Sequence, residues 1–390
     1  MSGFFLSERV VSLTMTGHMD TPLRLFPPNR AHYEVLDGLR GVAAILVVCF
    51  HLFEAHATSH FNQMLNHTYL AVDFFFVLSG FVIGYAYDGR WGKGGLSAWA
   101  FICRRLIRLQ PMIVFGTLLG LAVFPFTFGP EGWVENAPLP AVLLCALLGA
   151  LMIPITPALD VRGWDENYPL NGSQWSLFFE YAANLLYAFV FRFLPTRWLA
   201  LATLAAAGLS AWYVGNSPMG DYHGGWALTP AGLETGFCRV LFTFMAGLLL
   251  SRLQWKLEVP KPFLTCGLLL ALVLAMPRLG TETELWPNAV YEAACVLLVF
   301  PLIVIMGSSG LEAGGADSGA ICRFCGRISY PLYLVQFPIA LCYMKYVHSG
   351  QATAWSNWGW GIAAFIAAVS LAAAVEKYYD RPVRKWLGQL

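Results

Sequence analysis

Charge is what this sequence has least of. Its 390 residues include only 24 Lys or Arg and 23 Asp or Glu, together 12%, where a soluble chain carries about 25%. With 57% hydrophobic residues and a mean hydropathy of +0.58, there is too little polar surface to clothe a soluble fold. Disorder is excluded as well, because it requires low hydrophobicity and high charge. The net charge of +1 leaves no basic field to recruit nucleic acid. Residues 1–34 lack the apolar run of a cleaved signal peptide and read as a cytoplasmic extension. An internal repeat is missing too, which argues against a repeat-built transporter. The remaining class is an integral membrane protein.

What is present is a rapid succession of apolar stretches: 38–57, 68–88, 111–127, 140–157, 175–193, 197–214, 235–252, 262–277, 287–307, 328–348 and 358–377. Most approach the roughly 20 residues a spanning helix needs. Their continuity is not the alternation of a barrel strand, so the fold class is an all-α polytopic bundle. Residues 35–390 form one integral membrane domain.

Loop charges set the expected orientation. The segment 89–110 carries Arg90, Lys93, Arg104, Arg105 and Arg108; Arg192 and Arg197 flank 194–197; Arg252, Lys256 and Lys261 mark 252–261; Arg323 and Arg327 lie in 308–327. These should face the cytoplasm, as should the C-terminus with Arg381, Arg384 and Lys385. Loops 58–67, 128–139, 215–233 and 349–357 hold no Lys or Arg and read as external. Loop 278–286, with Arg278 against two glutamates, reads the same way. An even number of crossings must then separate residues 110 and 194, but three stretches lie between them. The stretch 140–157, interrupted by Pro140, Pro154 and Pro157, is expected to be re-entrant, which leaves ten crossings. Backbone of that kind is tolerated where it lines a cavity in protein. The expected location is the inner membrane, with both termini cytoplasmic.

Ionisable side chains inside apolar spans are default functional candidates. Arg40 and His51 stand eleven residues apart in the first span, on nearly one helix face and about 16 Å apart along the axis. Histidine takes and returns a proton near neutrality. The second span holds Asp73 and Ser79, with Gly80 permitting close helix approach. Arg105 and Arg108 share a helix face, with Arg104 beside them. Two such guanidinium forks suit a phosphate or pyrophosphate, although an ordinary cationic anchor has the same look. The segment Trp175-Ser176-Leu177-Phe178-Phe179-Glu180 places a carboxylate below an interfacial Trp, where it should find a cationic partner.

Together these segments resemble the acyltransferase-3 family of membrane O-acyltransferases. The pattern of Arg40, ten residues and His51 is similar to the family's first-helix motif, and Asp73 to Phe81 to its second-helix motif. Arg105-x-x-Arg108 and Trp175-Ser-Leu-x-x-Glu180 sit where the family carries an Arg pair and a similar Trp-to-Glu motif. Ile328 to Leu334 and Asp380-Arg-Pro-Val-Arg384 resemble its closing helices. The resemblance covers about residues 33–386. It implies transfer of an acyl group, acetyl by preference, from cytoplasmic acyl-CoA to a hydroxyl of an extracytoplasmic carbohydrate or glycolipid. It implies His51 as the catalytic histidine with Arg40 as its partner, Asp73 and Glu180 as supporting groups, and Arg104, Arg105 and Arg108 at the coenzyme end. Where the family often has a histidine after the closing Tyr-Leu pair, this chain has Gln336, so no role passes to that position.

Other residues carry competing signals. Trp175, Ser176 and Ser79 are candidates to touch substrate, and Tyr222 or Trp226 in the external loop can stack on a sugar, though aromatic belts look alike. A proton-coupled transporter using Asp73, His51 and Glu180 is the rival function. Gly307-Ser-Ser-Gly310 matches a short protease-like pattern but reads as the start of a flexible linker. His56 and His60 lack a third ligand, so no metal site is expected. Cys322-x-x-Cys325 reads as two ordinary thiols.

Overall fold

The computed structural model describes residues 33–91, 95–309, 319–350 and 353–389. Lys93 and the leader through residue 32 lie outside the described residues. All regular structure among the described residues is helical. In chain order the main helices are α1 (Glu34–Glu54), α2 (Ala71–Tyr87), α3 (Ala98–Val123), α4 (Leu139–Ala150), α5 (Gln174–Phe189), α6 (Thr196–Asn216), α7 (Pro230–Leu253) and α8 (Pro262–Ala275). They are followed by α9 (Trp286–Ser309, through a π turn at Cys295–Val299), α10 (Ala320–His348) and α11 (Ala354–Val375). A second π turn, Glu376–Asp380, joins α11 to a last short helix, Arg381–Leu387.

Seven helices among the described residues are long and apolar enough to cross a membrane. Shorter apolar helices are Leu139–Ala150 and Pro262–Ala275. At 12 residues α4 rises about 18 Å, against a hydrocarbon core of about 30 Å. Leu204, Leu272, Leu298 and Ile362 are all exposed on helix surfaces, as expected where lipid replaces water. The apolar stretch of α2 is 83% buried and that of α11 only 17%, so α2 lies at the centre and α11 at the periphery.

Most helices coincide with the apolar stretches, and the differences have local causes. The third span was expected to start at 111, yet α3 starts at Ala98. Ser97 caps it by accepting the Ala100 N–H at 3.0 Å, and arginine is a good helix former, so Arg104, Arg105 and Arg108 lie on helix, as the spacing of Arg105 and Arg108 implied, and that helix runs unbroken into the apolar span. Thr229 caps α7 in the same way, with Pro230 at its first position. Gly307 to Ser309 end α9 as helix, not as the start of a linker.

Two helix pairs form the frame. α2 crosses α7 with Gly80 against the Phe244 carbonyl and Gly247 against the Val77 carbonyl. A side chain at either glycine would collide with backbone. α1 crosses α10 with Gly38 against Cys322 and Gly41 against Cys325. Small residues at such crossings let helices touch closely.

The loops gather at two ends. At one, Arg252 of α7 reaches Asp88 at 2.6 Å and the Leu194 carbonyl at 2.6 Å. This arginine end brings together segments that sequence charge had grouped on one side. At the other, His60 meets Asp221 at 3.0 Å, Arg278 meets the same carboxylate at 2.8 Å, and the Trp226 carbonyl accepts the Asn167 N–H at 2.7 Å. This histidine end unites the loops poor in Lys and Arg.

Candidate active site

At the arginine end, α3 delivers its cations to α5 and α2. Arg105 donates to Glu180 Oε1 at 2.8 Å, and Ser79 donates to the same oxygen at 3.0 Å. The partner that the Glu180 carboxylate needed is therefore Arg105. One turn further, Arg108 stands 5.8 Å from the centre of the Tyr330 ring. The charges acting on it are Arg384, Asp380, Arg40 and Asp37. Arg40 pairs with Asp37 at 2.6 Å and Arg384 with Asp380 at 2.6 Å. Buried Nε atoms of Arg104 and Arg105 have no hydrogen-bond partner among the described residues. Arginines here outnumber carboxylates, a surplus that suits an anion.

Three turns along α1 from Arg40, His51 bonds through Nδ1 to Glu54 Oε2 at 2.9 Å. An ionised carboxylate only accepts, so the imidazole proton sits on Nδ1 and Nε2 is left as the basic nitrogen. The ring packs edge-on against Phe50 at 5.1 Å and Phe337 at 5.0 Å. No group among the described residues bonds Nε2. His51 and Arg40 do not touch; each has its own carboxylate on the same helix.

Beyond His51 lies a recess walled by the histidine-end loops. His223 keeps accessible surface although protein surrounds it. It stacks on His60 at 4.4 Å between ring centres and meets Trp226 edge-on at 4.8 Å. Burial, with the neighbouring His60 second, pushes the His223 imidazole down to about 4. It is therefore neutral at pH 7. Burial alone would raise the Asp221 carboxyl, but hydrogen bonds from His60 and Arg278 outweigh it and hold the group at about 2.

A buried polar frame joins these loops to α2 and α7. Asp73 is held by Arg239 of α7, whose Nη2 approaches Oδ2 at 2.7 Å. The two side chains are 0% and 1% exposed. The guanidinium also donates to the Tyr69 carbonyl at 2.9 Å and the Gly224 carbonyl at 3.1 Å. It stands 5.0 Å over the Trp175 ring. Trp175 is thus a support under an ion pair. Ser176 bonds the Tyr333 hydroxyl at 2.7 Å. Glu292, fully buried, accepts from the Tyr69 hydroxyl, the Tyr222 N–H and Asn288. Tyr222 points inward with its hydroxyl on Ser210 at 2.7 Å. It is 0% exposed, so its ring offers no face to a sugar. Trp226 remains half-buried at the recess.

Arg239, Glu292, Glu54 and His223 were not singled out from sequence. The rule that selected Asp73, an ionisable group within an apolar span, selects Arg239 and Glu292 equally. Glu54 sits one helical turn beyond His51, the spacing at which side chains meet.

These features define a membrane-embedded helical bundle with a cationic cluster at one end and an imidazole–carboxylate pair near the other. The sequence matches the profile of the acyltransferase-3 family, described as an acyltransferase domain, over residues 33–377. The chain belongs to this family of membrane O-acyltransferases. It is similar to "Protein 2 in picA locus" of Rhizobium radiobacter, 35% identical over 184 residues, which is 46% of this chain and 87% of that protein. It is also similar to the peptidoglycan O-acetyltransferase OatA of Listeria monocytogenes, 33% identical over 104 residues, 26% of this chain and 15% of that protein. No solved structure matches the chain.

Proposed function

We propose that the protein transfers an acetyl group from acyl-CoA, taken at the arginine end, to a hydroxyl of a carbohydrate or lipid-linked glycan presented at the histidine end. The arginine end is then cytoplasmic, as are both termini, and the membrane is the inner membrane. The acetyl group is carried over from the name of the Listeria relative. The observation that carries the reading is α1 itself: it ends near a cation surplus at Arg40 and, about 16 Å away, holds an imidazole with Nε2 open. The pantetheine arm of coenzyme A is an extended chain able to bridge such a gap.

Arg105, Arg108 and Arg104 take the phosphates of the donor. The acceptor O–H gives its proton to His51 Nε2 as its oxygen attacks the thioester carbonyl carbon. The tetrahedral adduct collapses, the C–S bond breaks, and the thiolate takes the proton back from His51. Glu54 steadies the imidazolium between these steps. Transfer through an acyl-imidazole is the competing route. The proton-relay reading of a transporter loses support, because Asp73 and Glu180 are each tied to an arginine.

Ten crossings with α4 re-entrant fit this arrangement. In support, Cys145 of α4 donates to the Leu159 carbonyl at 3.5 Å, and Arg162 reaches back to the Phe128 carbonyl at 2.7 Å. The chain after α4 thus lies beside the chain before it. Mass spectrometry of surface glycans from wild-type and His51→Ala cells tests the function. Loss of one acetyl mass from a glycan is expected, and an unchanged profile overturns it. Cysteine accessibility tests the topology: labelling of 158–170 from the cytoplasm would sink the re-entrant segment.

A further inference from the structure

His223, in the loop between α6 and α7, has no part in the mechanism above. Three rings border it. It stacks on His60 at 4.4 Å and meets Trp226 and Tyr69 edge-on at 4.8 Å and 5.1 Å. It is nevertheless exposed, so the side those rings leave uncovered is open. Neither imidazole nitrogen has a hydrogen-bond partner among the described residues.

The ring is unpaired but firmly placed. The His223 backbone N–H donates to Asp221 Oδ1 at 3.1 Å, and the other oxygen of that carboxylate holds His60 and Arg278. On the far side, the Gly224 carbonyl accepts from Arg239 at 3.1 Å. Gly225 follows with φ 106°, and a Cβ there would stand 2.6 Å from the Trp175 ring. The Trp226 carbonyl accepts the Asn167 N–H at 2.7 Å. The loop is thus pinned on both sides of His223, to Asp221 and to the Asp73–Arg239 pair. A polar side chain fixed in this way and left without a partner loses little freedom when a ligand binds it.

The His51–Glu54 pair lies close by and is also accessible, with side chains 18% and 39% exposed. The charges acting on the Glu54 carboxylate are His51, His223 and His60. Phe50 packs on His51 at 5.1 Å and on Tyr69 at 6.4 Å, and Tyr69 packs on His223 at 5.1 Å. Two rings therefore link His51 to His223, a separation that one glycan can span.

We propose that His223 is an acceptor-binding residue, whose imidazole hydrogen-bonds a second hydroxyl of the glycan that brings its reacting hydroxyl to His51. This rests on the acyltransferase reading above. Burial pushes the His223 imidazole down to about 4, so at pH 7 it is uncharged and brings one N–H and one lone pair. A hydroxyl donates and accepts, and so matches either nitrogen. The ligand is polyhydroxylated because a simple alcohol, with one hydroxyl, cannot engage His51 and His223 together.

The test uses the full chain purified in detergent, acetyl-CoA deuterated in the acetyl group, and glycans extracted from the producing cells and freed of O-acetyl esters with mild alkali. Mass spectrometry reads initial rates as either substrate is varied, normalised to the amplitude of the melting transition. His223→Phe keeps a ring against His60 and Trp226 and removes both nitrogens; His223→Leu gives the same reading should phenylalanine not fold. His223→Gln gives up the ring and keeps a donor and an acceptor. The phenylalanine variant should need about tenfold more glycan for half-maximal rate, the effect of one neutral hydrogen bond, with its acetyl-CoA requirement unchanged. The glutamine variant should stay within about threefold of wild type, since it can form that bond. A phenylalanine variant with the wild-type glycan requirement, a glutamine variant as impaired as the phenylalanine one, or a changed acetyl-CoA requirement overturns the proposal. A His51→Ala protein that transfers as well as wild type, or a wild type that labels no glycan, overturns the underlying reading instead.

Discussion

The two ends of the bundle hold their charges by different means. At the arginine end, cations exceed carboxylates, and Arg108 leans on a tyrosine ring. At the histidine end nearly every charge is matched: His51 with Glu54, and Asp221 with both His60 and Arg278. A surplus of one sign waits for a ligand of the other sign. A matched set waits for a neutral one, and lends or takes protons instead. The same polypeptide thus carries a cation surplus at one end and a matched set at the other, while Asp73–Arg239 is a pair buried in the bundle.

His51→Ala should reduce transfer about 10²–10⁴-fold without changing the amount of protein in the membrane. Radiolabelled acetyl transfer in vesicles measures it, and a fully active variant removes His51 from the chemistry. Asp73→Ala leaves Arg239 buried and unpaired, which costs about 3–5 kcal/mol. Thermal unfolding in detergent should show a large loss, whereas a leucine at both positions should recover much of it.

A third pair of substitutions separates the ends directly. Arg108→Gln should raise the KM for acyl-CoA about tenfold with little change in kcat. Glu54→Gln should do the reverse, lowering kcat about tenfold, the worth of one hydrogen bond to a charged group. If both variants change the same constant, the two ends are not the donor and acceptor sides.

The smallest effect is on pH stability. The folded His223 imidazole sits at about 4, below its ordinary value near 6.5. Below 6.5 the unfolded chain therefore binds a proton that the folded chain refuses, and stability falls as pH drops from 6.5 to about 4. Asp221, held at about 2, contributes stability that is complete above about 4 and is lost as pH falls towards 2. Both act in one direction. Melting in detergent should decline on acidification, and His223→Phe should remove the earlier part of that decline.

Much of this was legible in the sequence. Glu180 demanded a cation, and Arg105 answers it; Gly80 was read as a close-contact position, and it lies on the Phe244 carbonyl. Apolar length gave the helices but not their starts, because a helix continues through arginines that end a hydropathy run, as α3 does. The Asp73–Arg239 pair joins positions 166 residues apart, a distance in sequence at which no spacing rule operates. Tyr222 shows the opposite limit. Its loop is polar and glycine-rich, as an exposed loop is, yet the Ser210 hydroxyl and Glu292 draw Tyr222 inside, with Asp221 buried beside it.

The glycine crossings have a mechanical consequence. Where Gly80, Gly247 and Gly41 lay backbone on backbone, no side chain at those points remains to repack, so α2 is fixed against α7 and α1 against α10. Relative motion of the two pairs is then confined to the seam between them, with His51 carried on one pair and Asp73 on the other.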